Sequence, residues 1–188
     1  FPNSSILIKP DRGTFNFERL RRNEVDLIMT VAPKAPPVEY KQLDWFTDSL
    51  VAVLPPFHPL AQRSKLNAND FDNRNIHLFG NDSPSDSLIR EYLSSYGIRS
   101  VEFLEVGTVE TVKEMVKLGQ GLAFLPLWCV EQEVNQGSLV VREIEDHSLE
   151  RQWCIYWSGR KLNLQEETFL GLCMEAKESI LGNRALRY

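Results

Sequence analysis

Residues 107–126, GTVETVKEMVKLGQGLAFLP, constrain the fold more than any other segment, because they encode a helix, a helix end and a buried strand in succession. Thr108 is a residue type suited to cap a helix N-terminus. The apolar residues that follow recur at helical spacing, with charged residues on the opposite face. Gly119 predicts the end of this helix, and the apolar run 122–125 is typical of a strand buried on both faces of a parallel sheet. The segment therefore predicts one unit of an α/β fold.

Strands and helices alternate along the whole middle of the chain. The predicted strands are 76–79, 101–106 and 122–125, and the predicted helices are 84–95, 109–118 and 127–135. This alternation predicts a parallel twisted sheet with helices on both faces. A second region is predicted from strands 6–8 and 25–29 and helices 16–22 and 164–180, with strands 50–54 and 153–157 carrying the chain between the two regions.

Three phrases occur in a characteristic order: NEVDLIM at 23–29, LVAVLPPFHPLA at 50–61 and ETVKEMVKLGQGLAFLP at 110–126. On these phrases, and on RQWCIYW at 151–157 with the closing helix, the chain resembles the effector-binding domain of LysR-type transcriptional regulators along nearly its whole length. Asn23 stands where that family usually has glycine. The residues RQW and GRKL, at 151–153 and 159–162, are also similar to regulators of carbon fixation within the family.

The resemblance implies an α/β fold of two Rossmann-like lobes joined by two hinge strands, as in type 2 periplasmic binding proteins. Residues 1–50 with 150–188 would form lobe 1, and residues 55–140 would form lobe 2. The resemblance also implies an opening strand and helix in lobe 1 and a DNA-binding winged helix-turn-helix further upstream. None of these occurs in this chain, so we expect the sequence to be a fragment that begins inside lobe 1.

Two predicted helix starts carry the candidate binding residues. Ser83 is a good N-cap followed by proline, with Asp82 before it, and Thr108 is a good N-cap preceded by Gly107. Helix N-termini present unpaired N–H groups and a partial positive charge, so they favour small anions. The resemblance implies that the positions of Ser83 and Thr108 contact an effector. The alternative for each position is an ordinary helix cap or turn.

Composition limits the classes of function. The net charge of −5 and the pI of about 5.3 argue against these residues gripping a phosphate backbone, so DNA would be bound only through the upstream domain. Cys129, Cys154 and Cys173 lack CxxC spacing and predict neither disulfides nor a zinc site, which favours the cytoplasm. No metal, no cofactor and no catalytic motif is predicted, and no apolar run is long enough for a membrane span.

These observations predict a ligand-sensing regulatory domain and not an enzyme. A small anionic metabolite would bind between the lobes and change the angle between them, and the resemblance implies self-association as a dimer or tetramer. The alternative from another class is a free-standing solute-binding protein of a transport system, because such proteins share the two-lobe architecture. An enzyme on the same scaffold is a third possibility.

Overall fold

The computed structural model describes residues 5–10, 16–80, 83–145 and 148–181. The chain divides into two compact units: unit 1 contains Phe1–Thr47 and Gln152–Tyr188, and unit 2 contains Asp48–Arg151. The chain therefore passes between the units twice. Each passage occurs inside a strand.

The strands and helices follow in this order along the chain: α1 (Asn16–Arg21), β1 (Ile28–Val31), β2 (Tyr40–Leu54), β3 (Lys65–Leu66), β4 (Asn75–Leu78), α2 (Pro84–Ser95), β5 (Glu102–Glu105), α3 (Val109–Lys117), β6 (Leu122–Pro126), α4 (Leu127–Asn135), β7 (Val140–Ile144), β8 (Leu149–Ser158) and α5 (Leu164–Leu181). Two short 3₁₀ helices, Pro59–Gln62 and Ala68–Phe71, lie on either side of β3.

Unit 2 contains a mixed sheet with the strand order β3-β7-β2-β6-β4-β5. β4 pairs in parallel with both β5 and β6, whereas β2 pairs antiparallel with β6 and β7. The predicted parallel sheet is thus correct for the three strands that alternate with helices.

The central strands of unit 2 are buried on both faces. Alternate residues of β6 point to opposite sides, so Leu122 and Phe124 join one apolar cluster while Ala123 and Leu125 join another. β2 is divided between the same two clusters in the same alternating way. This two-sided burial explains why the sequence of these strands is a continuous apolar run.

The helix α3 begins and ends for local reasons. Thr108 caps its start, Val112 and Val116 lie one turn apart and are both buried, and Leu118 is the C-cap. Gly119 then adopts φ 71°, and the N–H of Gln120 donates to the carbonyl of Met115 at 3.0 Å, which ends the helix. The predicted helix was therefore correct to within one residue.

Unit 1 contains β1, β8 and the first part of β2 as neighbouring strands, with α1 and α5 as its helices. The register of β1 and β8 is antiparallel and pairs Ile28 with Tyr156. Phe17 of α1 packs on the ring of Tyr156 with centroids 5.0 Å apart. A second cluster on unit 1 joins Ile155 to Leu170 of α5.

Four predicted strands differ from the structure by more than one residue, and one of them, predicted at 153–157, begins four residues earlier, at Leu149. The prediction of a strand at 6–8 was wrong, because these residues form no regular element and Ile6, Leu7 and Ile8 are 70–80% exposed. The strand predicted at 25–29 begins only at Ile28, after a turn in which Asn23 has φ 55°. The strand predicted at 50–54 begins ten residues earlier, at Tyr40, because its first part pairs within unit 1.

His77 of β4 is buried against the turn that leads into β6. Its side chain is 2% exposed, and neither ring nitrogen has a well-formed hydrogen bond within the described residues. Burial lowers the pKa of His77 below its usual 6.5, and the backbone of Gln120 offsets this only in part. Gly121, at φ 154°, leaves room for this contact, because a Cβ there would lie 2.8 Å from Nε2 of His77 and 2.7 Å from the carbonyl of Asn75.

We expect acid to destabilise the fold through His77. The folded-state pKa is depressed, so the unfolded chain binds a proton more readily and stability falls as the pH drops below about 6.5, by at most about 1.4 kcal/mol per pH unit. Replacing His77 by leucine keeps most of the volume and removes the titration. Urea unfolding at about pH 7.5 and about pH 5.5 should show a smaller loss of stability in His77→Leu than in the wild type. Equal losses in both proteins would assign the acid sensitivity to other groups.

Candidate functional site

The helix N-termini of unit 2 gather at one edge of its sheet. Each of β4, β5 and β6 is followed by a helix, α2, α3 and α4 respectively. Because these three strands run parallel, their carboxyl ends meet at the same edge. Three helix starts therefore converge there, and this is the edge at which open α/β sheets bind ligands. The convergence brings the predicted positions Ser83 and Thr108 to the same side of unit 2.

Ser83 is the N-cap of α2, as the sequence predicts. It has extended backbone angles, and its Oγ accepts a hydrogen bond from the N–H of Ser85 at 3.2 Å. Pro84 follows at the first helical position. A hydroxyl that accepts a hydrogen bond still carries its own proton and can donate it. The cap therefore does not prevent Ser83 from contacting an anion.

Thr108 caps α3 in the same manner. Its Oγ1 accepts from the N–H of Thr111 at 3.1 Å and lies 2.8 Å from the Thr111 hydroxyl. Gly107 has φ 82°, a conformation that side-chain-bearing residues rarely adopt, so glycine is required there by the turn itself. Thr108 is exposed. Of the four predicted positions, Asp82 lies outside the described residues.

Asp86 in the first turn of α2 is almost fully buried, at 2% exposure. Its carboxylate accepts a hydrogen bond from the N–H of Gly80 at 2.8 Å, which fixes the turn between β4 and α2. Burial raises the pKa of Asp86 to about 6, against the lowering effect of the Gly80 and Phe79 N–H groups and of Arg90. At neutral pH the carboxylate is ionised and stabilises the positive end of the helix dipole.

An ion pair that no local sequence pattern indicates lies at this edge. Arg151 of β8 binds Asp48 of β2 through Nε, at 2.8 Å, and through Nη2. These side chains are 7% and 3% exposed. The indole N–H of Trp128, in the first turn of α4, donates to Asp48 at 2.9 Å, and Nη1 of Arg151 donates to the hydroxyl of Ser85 at 2.8 Å. The partners are 103 residues apart in the chain, beyond the reach of any local pattern.

We examined the described residues for a reactive thiol and for a group of side chains that could bind a metal ion. Burial raises the pKa of Cys129, in the first turn of α4, to about 12, so its thiol stays protonated and weakly reactive at neutral pH. No group of three or more His, Cys, Asp or Glu side chains that could hold a metal ion occurs among the described residues. Within the same residues, no helix has both the length and the apolar character needed to span a membrane.

A cleft with a volume of about 810 Å³ lies in unit 1. Its walls are residues 5–10, the segment 24–29 that leads into β1, and the start of α5. The apolar side chains of Ile6, Leu7 and Ile8 are exposed beside it. Ser83, Gly107 and Thr108 belong to unit 2 and do not line this cleft.

Known proteins with similar sequences are transcriptional regulators by name. The chain is 23% identical over 181 residues to the HTH-type transcriptional activator CmpR of a Synechocystis strain, covering 96% of this chain and 59% of that protein. It is 33% identical over 154 residues to the HTH-type transcriptional regulator CbbR of Cereibacter sphaeroides, covering 81% of this chain and 49% of that protein. The chain thus spans about half the length of the curated relatives it matches.

The fold is also shared with a solved structure. The regulatory domain of CcmR from Synechocystis, in complex with 2-PG, has a TM-score of 0.76 with 21% identity, over 86% of this chain and 78% of that one. Residues 1–178 match the protein family described as the LysR substrate binding domain. This match covers nearly the whole chain, and the mixed α/β architecture agrees with it. The chain therefore belongs to the family of LysR substrate binding domains.

Proposed function

We propose that this chain is the effector-binding and oligomerisation domain of a LysR-type DNA-binding transcriptional regulator, and that it binds a small anionic metabolite to control transcription. The observation that carries the proposal is the convergence of three helix N-termini at the carboxyl edge of β4, β5 and β6. The family match and the regulator names of the relatives support it. They favour a regulator over a free-standing solute-binding protein of a transport system.

The proposed ligand contacts are Ser83 and Thr108, with Gly107 and Asp82 beside them. Both hydroxyls sit at helix starts, where unpaired N–H groups and the helix dipole favour negative charge. Arg151 adds a positive group at the same edge, but Asp48 neutralises most of its charge. The ligand charge would therefore be met mainly by the helix N-termini and hydroxyls.

In this proposal, ligand binding changes the arrangement of the two units about the strands β2 and β8. A ligand shifts such an equilibrium only by its differential affinity for the two arrangements, commonly about 1 to 3 kcal/mol of coupling. In a dimer or tetramer of the whole regulator, this change would be passed to a DNA-binding domain outside the present chain. The acidic character of this chain, with a net charge of −5, fits a domain that does not itself hold DNA.

We further propose that the domain works in the cytoplasm, without a metal or other cofactor and without catalysis. Three free cysteines, in separate positions and unpaired with one another, suit a reducing compartment. The ligand named for the CcmR structure, 2-PG, is the first effector candidate to test, because CcmR and this chain share their fold.

The first test measures whether anions stabilise the purified chain. Inorganic phosphate, glycolate and 2-PG are added separately, and thermal unfolding is recorded. A ligand present at about 100 times its dissociation constant should raise the free energy of unfolding by about 2.7 kcal/mol. Potassium chloride at the same ionic strength and uncharged glycerol are the controls. If no anion stabilises the chain more than potassium chloride does, the anion site is absent.

The second test separates ligand contact from helix capping at Thr108. Valine keeps the side-chain volume but removes the hydroxyl, so Thr108→Val should lose one hydrogen bond to the anion. The affinity for the anion should therefore fall roughly 10- to 150-fold. The variant should also lose about 1 kcal/mol of stability, the effect of a missing cap. Calorimetric titration with whichever anion stabilises the wild type measures the first effect, and urea unfolding without ligand measures the second.

Thr168→Val is the matched control for this experiment. Thr168 is exposed on α5 in unit 1, and its hydroxyl donates to the carbonyl of Leu164 at 2.7 Å. The substitution removes the same hydroxyl from a residue that is not among the proposed contacts, so anion affinity should not change. If Thr108→Val lowers stability while affinity stays within about twofold, well under the effect of one charged hydrogen bond, Thr108 is a cap only.

A further inference from the structure

A chain of hydrogen bonds, with the buried Asp48–Arg151 pair at its centre, runs from the start of α2 to the start of α4. The N–H of Ser85 donates to the hydroxyl of Ser83, and the hydroxyl of Ser85 accepts from Nη1 of Arg151 at 2.8 Å. The guanidinium of Arg151 holds Asp48 through two nitrogens, and Asp48 accepts the indole N–H of Trp128. The side chains of Ser85, Arg151, Asp48 and Trp128, from four elements, are thus linked in sequence, and Ser83 joins them through the backbone N–H of Ser85.

The two residues of the Asp48–Arg151 ion pair lie at the two ends of unit 2. Asp48 and Arg151 are the first and last residues of unit 2, in β2 and β8, the two strands by which the chain enters and leaves that unit. The pair therefore joins both crossing strands to each other at the boundary. Through Ser85 and Trp128 the same pair holds the first turns of α2 and α4.

Stability alone is a weak explanation for this pair. Removing two charges from water is costly, and well-packed apolar side chains of similar volume are often equally or more stabilising than a buried ion pair. A bidentate guanidinium–carboxylate contact does supply a fixed geometry. Here that geometry connects the proposed anion contact at Ser83 to the two strands that cross between units.

We propose that the Asp48–Arg151 pair is a positioning element that transmits occupancy of the anion site to the crossing strands, with Ser85 as the connecting contact. The inference rests on the proposed function, since it requires an anion at the start of α2. An anion bound there competes for the Ser85 N–H and attracts the guanidinium of Arg151. Either effect changes the hydrogen bonds between Arg151 and Asp48. The hydrogen bond from the Trp128 indole to Asp48 then changes as well.

The fluorescence emission of Trp128 can be used to measure this change in the Asp48–Arg151 pair. The chain has four tryptophans, and the other three, Trp45, Trp153 and Trp157, all belong to unit 1. Trp128 is 43% exposed, and its indole N–H is bonded to the carboxylate of the pair. Subtracting the emission of Trp128→Phe from that of the wild type isolates the signal of this side chain.

The experiment titrates the whole chain with inorganic phosphate and with 2-PG, by calorimetry and by Trp128 emission. In the wild type, the emission should change with the same midpoint as binding. In Ser85→Ala, binding should weaken by no more than about fivefold, the effect of one neutral hydrogen bond, while the emission change is lost. Each variant is also prepared with Trp128→Phe for the subtraction.

Ser87→Ala is the matched control, because Ser87 is exposed on the same helix. It should keep both the affinity and the emission change. Arg151→Lys provides a second test, since lysine keeps the charge but not the two-nitrogen grip on Asp48. It should bind the anions but lose the Trp128 response.

The outcomes separate this inference from the proposed function. If Ser85→Ala or Arg151→Lys binds an anion and keeps the full emission change, the pair does not transmit binding and the inference is overturned. The same holds if the wild type binds an anion with no change at Trp128. If the wild type binds neither phosphate nor 2-PG, the anion site itself is refuted, and the inference falls with it.

Discussion

The parallel pairing of β4 with both β5 and β6 is the constraint on which unit 2 depends. Because the three strands run in one direction, each must be followed by a helix that returns the chain, and all three helices begin at one edge. The apolar residues of β4 and β6 are buried against those same helices. One pairing pattern thus accounts for the core and for the convergence of helix N-termini.

Two kinds of polar group meet at that edge and have different physical roles. Ser83 and Thr108 satisfy backbone N–H groups at helix starts, as caps do in any helix. Asp48 and Arg151 are buried charges that are tolerable only because they are paired. The caps stabilise individual helices, whereas the ion pair relates separate elements to one another.

The family match covers residues 1–178, while the curated relatives named above are much longer than this chain. The chain therefore matches about half the length of those relatives. A domain with a net charge of −5 is poorly suited to bind a duplex with a continuous row of phosphates.

The sequence by itself determined the features that depend on neighbours within a few residues. The caps at Ser83 and Thr108, the end of α3 at Gly119 and the bounds of α2 follow from local hydrogen bonding and from helical spacing. Only tertiary structure decided the length of β2, the burial of His77 and the Asp48–Arg151 pair. Strand length depends on which partner supplies hydrogen bonds, and the two charged residues meet across 103 positions through the fold of the intervening strands. No local rule relates residues at that distance, because their contact exists only once the sheet has formed.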